Sequence, residues 1–136
     1  MYKNFSILIL YLVSIYLIFS GCSEERFEKI QDIVQINYKD ITKISFHDGR
    51  TGELIETEDK EKINEFLKYV NSYKLKKSEL QLELDGYIYY ADFYINDKNI
   101  LRITFVNPLN VNGISYDIIE SELNLEKIED FVKSIK

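Results

Sequence analysis

Apolar and polar residues alternate along several stretches of this chain, and a period of two residues is typical of a half-buried β-strand. The first such stretch covers residues 41–48, and a short second one covers residues 53–57. Asp48-Gly49-Arg50-Thr51-Gly52 lies at the junction, and its glycines permit the positive φ angles of a tight turn. The two stretches and this turn therefore predict a β-hairpin. Further along the chain the same period returns in four segments: residues 79–85, 87–95, 101–105 and 114–119.

Two segments show the period of an α-helix instead. The first carries one apolar stripe, formed by Ile63, Phe66, Leu67 and Val70. Thr57 or Asp59 can cap its start, and Asn71-Ser72 is a plausible end. The second segment is at the carboxyl terminus, with Asn124 as a good N-cap. Its apolar stripe consists of Leu125, Ile128, Phe131, Val132 and Ile135.

Together these elements predict an α+β domain with the order ββα-ββββ-α. The turns at Asp85-Gly86 and at residues 96–99 are of hairpin length, which implies antiparallel pairing. We therefore expect an antiparallel sheet of about five to six strands, with both amphipathic helices on one face. No βαβ crossover is evident, so a doubly wound nucleotide-binding cleft is not expected.

A different pattern opens the chain. Lys3 precedes an uncharged, largely apolar run of residues 5–19, which is followed by Ser20-Gly21-Cys22. A membrane-spanning helix usually needs ~20 apolar residues, whereas the apolar part of a signal peptide needs ~7–15. The length predicts a cleaved signal helix over residues 1–21. The alternative is an uncleaved N-terminal anchor with an idle cysteine.

The segment Phe19-Ser20-Gly21-Cys22 resembles the lipobox of bacterial lipoproteins, although Phe19 stands where that family usually has leucine. The resemblance implies that diacylglycerol is attached to the thiol of Cys22 and that a peptidase cuts just before it. Two acyl chains suffice for stable anchoring. The resemblance thus implies a protein held on the extracytoplasmic side of a membrane by this covalent lipid. We expect no other cofactor.

A second resemblance covers about residues 40–135. The pattern Asp48-Gly49-x-Thr51-Gly52, Asp85-Gly86-Tyr87-x-Tyr89 and Asn112-Gly113 with Tyr116 is similar to uncharacterised small lipoproteins of low-GC Gram-positive bacteria. These motifs are mostly turn and core positions. They imply a shared fold and no particular chemistry.

Charge and cysteine content narrow the function classes. The whole chain has a net charge of −6, and removing residues 1–21 takes away Lys3 and no acid. An acidic domain is a poor candidate for binding nucleic acid or an anionic membrane surface through bulk charge. Cys22 is the only cysteine, so its acylation leaves no thiol for a disulfide or a nucleophile.

We divide the chain after the signal segment into a tether, residues 22–39, and one domain, residues 40–136. The tether is either a short helix on the domain or a spacer.

Catalytic constellations are not evident in the sequence. His47 is the only histidine, and we interpret it as an exposed strand residue at a hairpin end. One histidine without a free thiol does not make the usual zinc site. The acidic residues at turns lack the spacing of a calcium loop, and neither a phosphate-binding loop nor a Gly-x-Ser-x-Gly motif occurs. We therefore expect a protein that is not an enzyme and has no metal site.

The alternation over residues 87–95 places Ile88, Tyr90 and Tyr94 on the face of the sheet away from the core, where Arg102 can lie alongside. Tyrosine and arginine are enriched in binding hot spots, which makes these four residues a candidate interaction face. The alternative is a plain sheet surface. The sequence favours a lipid-anchored module that binds an envelope protein or ligand. Other hypotheses are an immunity-type lipoprotein that intercepts a toxin or bacteriocin and, less favoured, a hydrolase.

Overall fold

The computed structural model describes residues 26–81 and 83–136. Its helices are α1 (Ile30–Val34), α2 (Lys60–Val70) and α3 (Leu125–Ser134), with a 3₁₀ turn at Tyr38–Asp40. Its strands are β1 (Lys43–Asp48), β2 (Leu54–Thr57), β3 (Lys74–Lys77), β4 (Tyr89–Ile95), β5 (Lys98–Thr104), β6 (Leu109–Val111) and β7 (Ile114–Ile119). The predicted signal helix and Cys22 lie outside the described residues.

All described strands join one sheet in the order β2-β1-β4-β5-β6-β7-β3. Every neighbouring pair is antiparallel, which agrees with the predicted α+β class. The sheet has seven strands rather than the predicted five to six, and β2 and β3 form its two edges. The predicted order ββα-ββββ-α is also wrong in part, because α1 precedes β1 and five strands rather than four lie between α2 and α3.

The core lies between one face of the sheet and the helices α2 and α3. Phe66 of α2 is its centre, because its ring lies 4.9 Å from Phe46 of β1 and 4.7 Å from Phe131 of α3. Phe93 and Phe105 contact the same ring at 6.3 and 6.0 Å. Both helices therefore cover the same face of the sheet, as the sequence predicts.

The start of each long helix is set by a polar side chain. The Asp59 side chain accepts hydrogen bonds from the backbone N–H groups of Glu61 and Lys62. Asn124 accepts one from the backbone N–H of Lys127. These bonds satisfy donors that have no partner inside the helix. Asn124 is the predicted cap of the terminal helix, and Asp59 rather than Thr57 caps α2.

The strand predicted over residues 79–85 is wrong for the described part of that segment. Residues 79–81 and 83–88 form an irregular connection between β3 and β4. A short strand of mostly lysine, β3, occurs just before it, and another short strand, β6, follows the cis peptide bond Asn107-Pro108. Neither of these short strands has the length or the alternation of apolar and polar residues that predicts a strand from sequence.

Residues 26–40 pack against the domain. Glu28 and Leu75 of β3 exchange two backbone hydrogen bonds of 2.8 Å, which continues the sheet by one residue. Ile30 is fully buried in the common core. The Oδ1 atom of Asn71, at the end of α2, accepts hydrogen bonds from the Gln31 backbone N–H and the Tyr38 hydroxyl. The two alternatives for the tether were a short helix on the domain and a spacer. For the described residues of this segment, the structure shows the short helix packed on the domain.

Candidate binding surface on the outer face of the sheet

The sheet face opposite α2 and α3 carries a cluster of aromatic and cationic side chains on β1, β4 and β5. The register pairs Lys43 with Tyr94 and His47 with Tyr90 across β1 and β4. It pairs Asp92 with Arg102 across β4 and β5. We call the surface formed by Lys43, His47, Tyr90, Tyr94 and Arg102 the tyrosine face.

Arg102 is fixed at the centre of the tyrosine face by Asp92. Its Nε and Nη2 atoms each donate a 2.7 Å hydrogen bond to one carboxylate oxygen of Asp92. Asp92 is buried, whereas the Arg102 side chain is half exposed. The hydrogen bonds to Asp92 raise the pKa of Arg102. Such a bidentate pair leaves the guanidinium little rotational freedom.

Tyr90 lies between charged and aromatic neighbours. The Arg102 guanidinium is 4.3 Å from the centroid of its ring, and the His47 ring stacks on it at 4.6 Å with an angle of 16°. Tyr87 approaches the same ring edge-on at 4.9 Å. Burial raises the pKa of Tyr90, so its hydroxyl is neutral at physiological pH. These contacts stabilise one orientation of the ring.

Tyr94 extends the tyrosine face along β4. The Nζ atom of Lys43 lies 4.6 Å from the Tyr94 ring centroid and 3.3 Å from a carboxylate oxygen of Glu56 on β2. The face therefore combines two tyrosine rings, one histidine and two cations. Such a surface can bind a partner by stacking, by apolar contact and by hydrogen bonds to carboxylates.

A close backbone approach positions Tyr87. The Gly49 N–H donates a 2.8 Å hydrogen bond to the Ile88 carbonyl. A Cβ atom at Gly49 would lie 2.3 Å from the Tyr87 carbonyl oxygen and 2.8 Å from its ring. Only glycine fits this contact, which holds the turn after β1 against the residues that precede β4.

Small polar side chains form a row on the outer face beside the tyrosine face. The register places Thr104, Asn110 and Ser115 next to one another on β5, β6 and β7. All three are buried, although the helices cover the opposite face. Residues 78–81 lie beside this row, because the Ser78 N–H and the Gln81 side chain form hydrogen bonds with the Ser115 backbone.

The structure brings together three of the four predicted face residues. Tyr90, Tyr94 and Arg102 belong to the tyrosine face, as described above. Ile88 precedes β4 and is exposed, and it lines a groove at the end of the sheet with Val106 and Leu123. The predicted lipid-attachment residue, Cys22, falls outside the described residues.

Sequence reasoning missed the contribution of three residues. We interpreted His47 as an exposed residue at a hairpin end, yet it stacks on Tyr90. Lys43 and Asp92 are also part of this arrangement, since they contact Tyr94 and Arg102. The alternation in β1 and β4 does place all of these side chains on the outer face. The pairing of β1 with β4 crosses more than forty residues of chain, so periodicity alone does not give their partners.

A second charged cluster lies on the core side of the sheet. Asp48, at the end of β1, accepts hydrogen bonds from the Arg50 side chain and backbone, and Arg50 also donates to the Tyr89 hydroxyl. Among residues 26–81 and 83–136, no three His, Cys, Asp or Glu side chains lie close enough together to hold a metal ion. We interpret the Asp48 cluster as a structural contact between the hairpin turn and β4.

None of the helices formed by the described residues has the length and apolar character needed to cross a bilayer. Comparison of the chain with protein-family models, with curated proteins and with solved structures returns no match.

Proposed function

We propose that this protein is a non-catalytic, lipid-anchored module on the extracytoplasmic side of a membrane, and that it binds an envelope protein through the tyrosine face. The lipobox-like segment ending at Cys22 supports the anchor. The observation that carries the binding proposal is the buried Asp92 carboxylate, which holds Arg102 against the Tyr90 ring.

A surface that is already ordered loses little side-chain entropy when a partner binds. Tyr90 and Arg102 are ordered in this way by Asp92 and His47. Tyrosine and arginine are also the residue types that contribute most to binding hot spots. These points favour a binding surface.

The binding proposal is tested by crosslinking the lipidated protein in cells, identifying the partner, and measuring its Kd. The variant Tyr90→Ala/Tyr94→Ala removes both rings, and we expect its Kd to rise roughly 30-fold or more, as for a hot spot. Phe27→Ala/Ile114→Ala is the matched control, because it removes two exposed apolar side chains beside β3 and on β7, away from the tyrosine face. Circular dichroism verifies folding. An unchanged Kd for the folded tyrosine variant would contradict the proposal.

The anchor proposal is tested separately. We expect Cys22→Ala to abolish metabolic labelling with a fatty acid, because the thiol that forms the thioether is gone. Cys22→Ser is the control for size, and we expect it to behave in the same way. The uncleaved-anchor alternative predicts that the unmutated protein keeps residues 1–21 and carries no acyl group, which mass spectrometry of the purified protein detects.

A further inference from the structure

The chain joins the edge of the sheet only six positions after Cys22 in the sequence. Glu28 and Leu75 of β3 are joined by two backbone hydrogen bonds, and Ile30 is buried two residues later. Only residues 23–27 separate Cys22 from this attachment point. The position of β3 relative to an anchor at Cys22 is therefore limited by the length of this segment.

That length is short compared with the width of the sheet. Six residues of fully extended chain span at most roughly 21 Å, at about 3.5 Å per residue. The distance from β3 to β2 across the sheet is about 29 Å, since six spacings of about 4.8 Å separate the two edge strands. A lipid on Cys22 thus holds β3 within about 21 Å of the anchor, whereas β2 can lie up to about 50 Å from it.

The same edge carries the most basic segment of an acidic chain. Residues 66–78 contain four lysines and no acidic residue, while the whole chain has a net charge of −6. Three of these lysines, Lys74, Lys76 and Lys77, belong to β3. Phe27 is exposed beside them, with the Nζ atom of Lys74 at 5.9 Å from its ring centroid.

Acidic side chains also occur at this edge and reduce its charge. Glu120 forms an ion pair with Lys74, and Asp117 of β7 lies opposite Lys76 in the register. Arg26 and Lys29, both exposed, add positive charge on the other side of β3. With Glu28 included, these residues give five cations against three acids. Glu24 and Glu25, which follow Cys22 in the sequence, and Glu79, which follows β3, add acidic charge, so the attraction comes from the local cluster of lysines on β3 and not from a net positive charge of this edge.

We infer that the β3 edge is the side of the domain that faces the membrane, where its lysines contact anionic phospholipid headgroups beside Phe27. This inference rests on the proposed acylation of Cys22. Cationic side chains near an anionic bilayer are attracted to it, and the attraction falls off within a Debye length. The sheet then stands upright on this edge. The strands of the tyrosine face, β5, β4 and β1, lie about 14–24 Å further from the bilayer, at three to five strand spacings.

The test uses two exposed leucines as reporter positions near opposite edges of the sheet. Leu80 is 61% exposed and lies three residues after β3, whereas Leu54 is 50% exposed and lies on β2. Leu80→Cys and Leu54→Cys, each in the lipidated full chain, receive a thiol-reactive fluorophore. The proteins are reconstituted into vesicles of phosphatidylcholine with phosphatidylglycerol and a headgroup-linked quencher. We expect at least threefold stronger quenching at position 80 than at position 54.

Two lysine variants then separate electrostatic contact from tethering alone. We expect Lys74→Gln/Lys76→Gln/Lys77→Gln to reduce the quenching at position 80 at least twofold in these vesicles. Lys98→Gln/Lys133→Gln/Lys136→Gln, with the same change in charge away from β3, is the control and leaves the quenching unchanged. Pure phosphatidylcholine vesicles should match the β3 variant.

Equal quenching at the two positions, or equal effects of the two lysine variants, overturns the inference even when Cys22 is acylated. If acyl labelling of Cys22 is absent, both the anchor proposal and this inference are wrong. The two failures are therefore distinguishable by the labelling experiment.

Discussion

At the scale of single residues, the Asp48 cluster shows how one buried carboxylate organises a turn. Its Oδ1 atom accepts hydrogen bonds from the backbone N–H and Nε of Arg50, at 2.8 and 3.1 Å. Its Oδ2 atom accepts one from Nη2 at 2.9 Å, and Nη2 also donates to the Tyr89 hydroxyl at 2.5 Å. Arg50 further approaches Glu129 of α3 at 3.8 Å. The cluster therefore ties the β1–β2 turn to both β4 and α3.

We expect Asp48→Asn to lower the free energy of unfolding by about 1–3 kcal/mol at pH 7, since a hydrogen-bonded charge pair loses one partner. The Arg50 side chain holds the pKa of Asp48 well below its usual range. Ionised Asp48 thus stabilises the fold fully above the unfolded-state pKa of about 3.9, and this stabilisation is lost as the pH falls toward the lower folded-state pKa. Urea unfolding at pH 7, 5 and 3 should show the difference between wild type and variant shrinking at pH 3.

The exposed Asp85 provides the control for this prediction. Asp85→Asn should change the free energy of unfolding by less than about 0.5 kcal/mol, as is usual for exposed positions. A difference between wild type and Asp48→Asn that stays constant from pH 7 to pH 3 would show that the ionisation of Asp48 does not stabilise the fold.

At the scale of elements, the side chain of Gln81, in the connection between β3 and β4, replaces a backbone partner of β7. The Oε1 atom of Gln81 accepts a 2.9 Å hydrogen bond from the Ser115 backbone N–H, and its Nε2 donates to the Ser115 carbonyl at 3.1 Å. Nε2 also donates to the Ser78 carbonyl at 2.7 Å. The Gln81 amide therefore occupies the ladder position that a longer β3 would take. The Gln81 side chain therefore covers part of the edge of β7, and an unpaired strand edge is prone to aggregation.

We expect Gln81→Ala to lower the free energy of unfolding by about 1–2 kcal/mol, because the Ser115 backbone N–H loses its hydrogen-bond acceptor. Hydrogen exchange at the Ser115 amide should become at least tenfold faster. Gln31→Ala is the control, since the exposed Gln31 bonds to Asn71 only through its backbone N–H. Unchanged exchange at Ser115 in the Gln81 variant would show that the side-chain bonds do not protect this strand edge.

At the scale of the whole molecule, residues 26–40 and the sheet share one core. Ile30 is fully buried in the same cluster as Leu75, Ile128 and Phe66, while Ile33 is only partly buried at its margin. A segment that contributes a buried side chain to the common core unfolds together with the rest. We therefore expect a single cooperative unfolding transition for the described part of the chain.

We expect Ile30→Ala to lower the free energy of unfolding by about 2–5 kcal/mol, as is typical when a large aliphatic side chain is removed from a core. Ile33→Ala should cost less than half as much. Urea unfolding followed by far-ultraviolet circular dichroism and by tyrosine fluorescence should give coincident curves for each variant. Two separate transitions, or equal losses at both positions, would show that residues 26–40 do not share the core.

The sequence by itself determined the elements whose pattern is long and regular. Alternation over β1, β4 and β5 assigned Tyr90, Tyr94 and Arg102 to the outer face, and the stripe through Phe66 predicted α2. The cap at Asn124 was also readable, and Asp59 was one of two candidates for the cap of α2, because a cap needs only neighbouring residues. Alternation over residues 79–85 misled us, because Leu80 and Leu84 remain exposed. A pattern states which residues share a face and leaves open whether a partner strand exists.

Only the tertiary structure decided which side chains meet. The short strands β3 and β6 exist because β7 lies between them, and neither has a pattern of its own. The contact of His47 with Tyr90 and the attachment of Glu28 to Leu75 join residues far apart in the chain. Periodicity is a property of local backbone geometry, whereas these contacts depend on the pairing register across the sheet. The same reason explains how a lysine-rich edge forms on an acidic protein. The net charge depends only on composition, whereas the fold decides that the lysines of β3 lie together at one edge of the sheet.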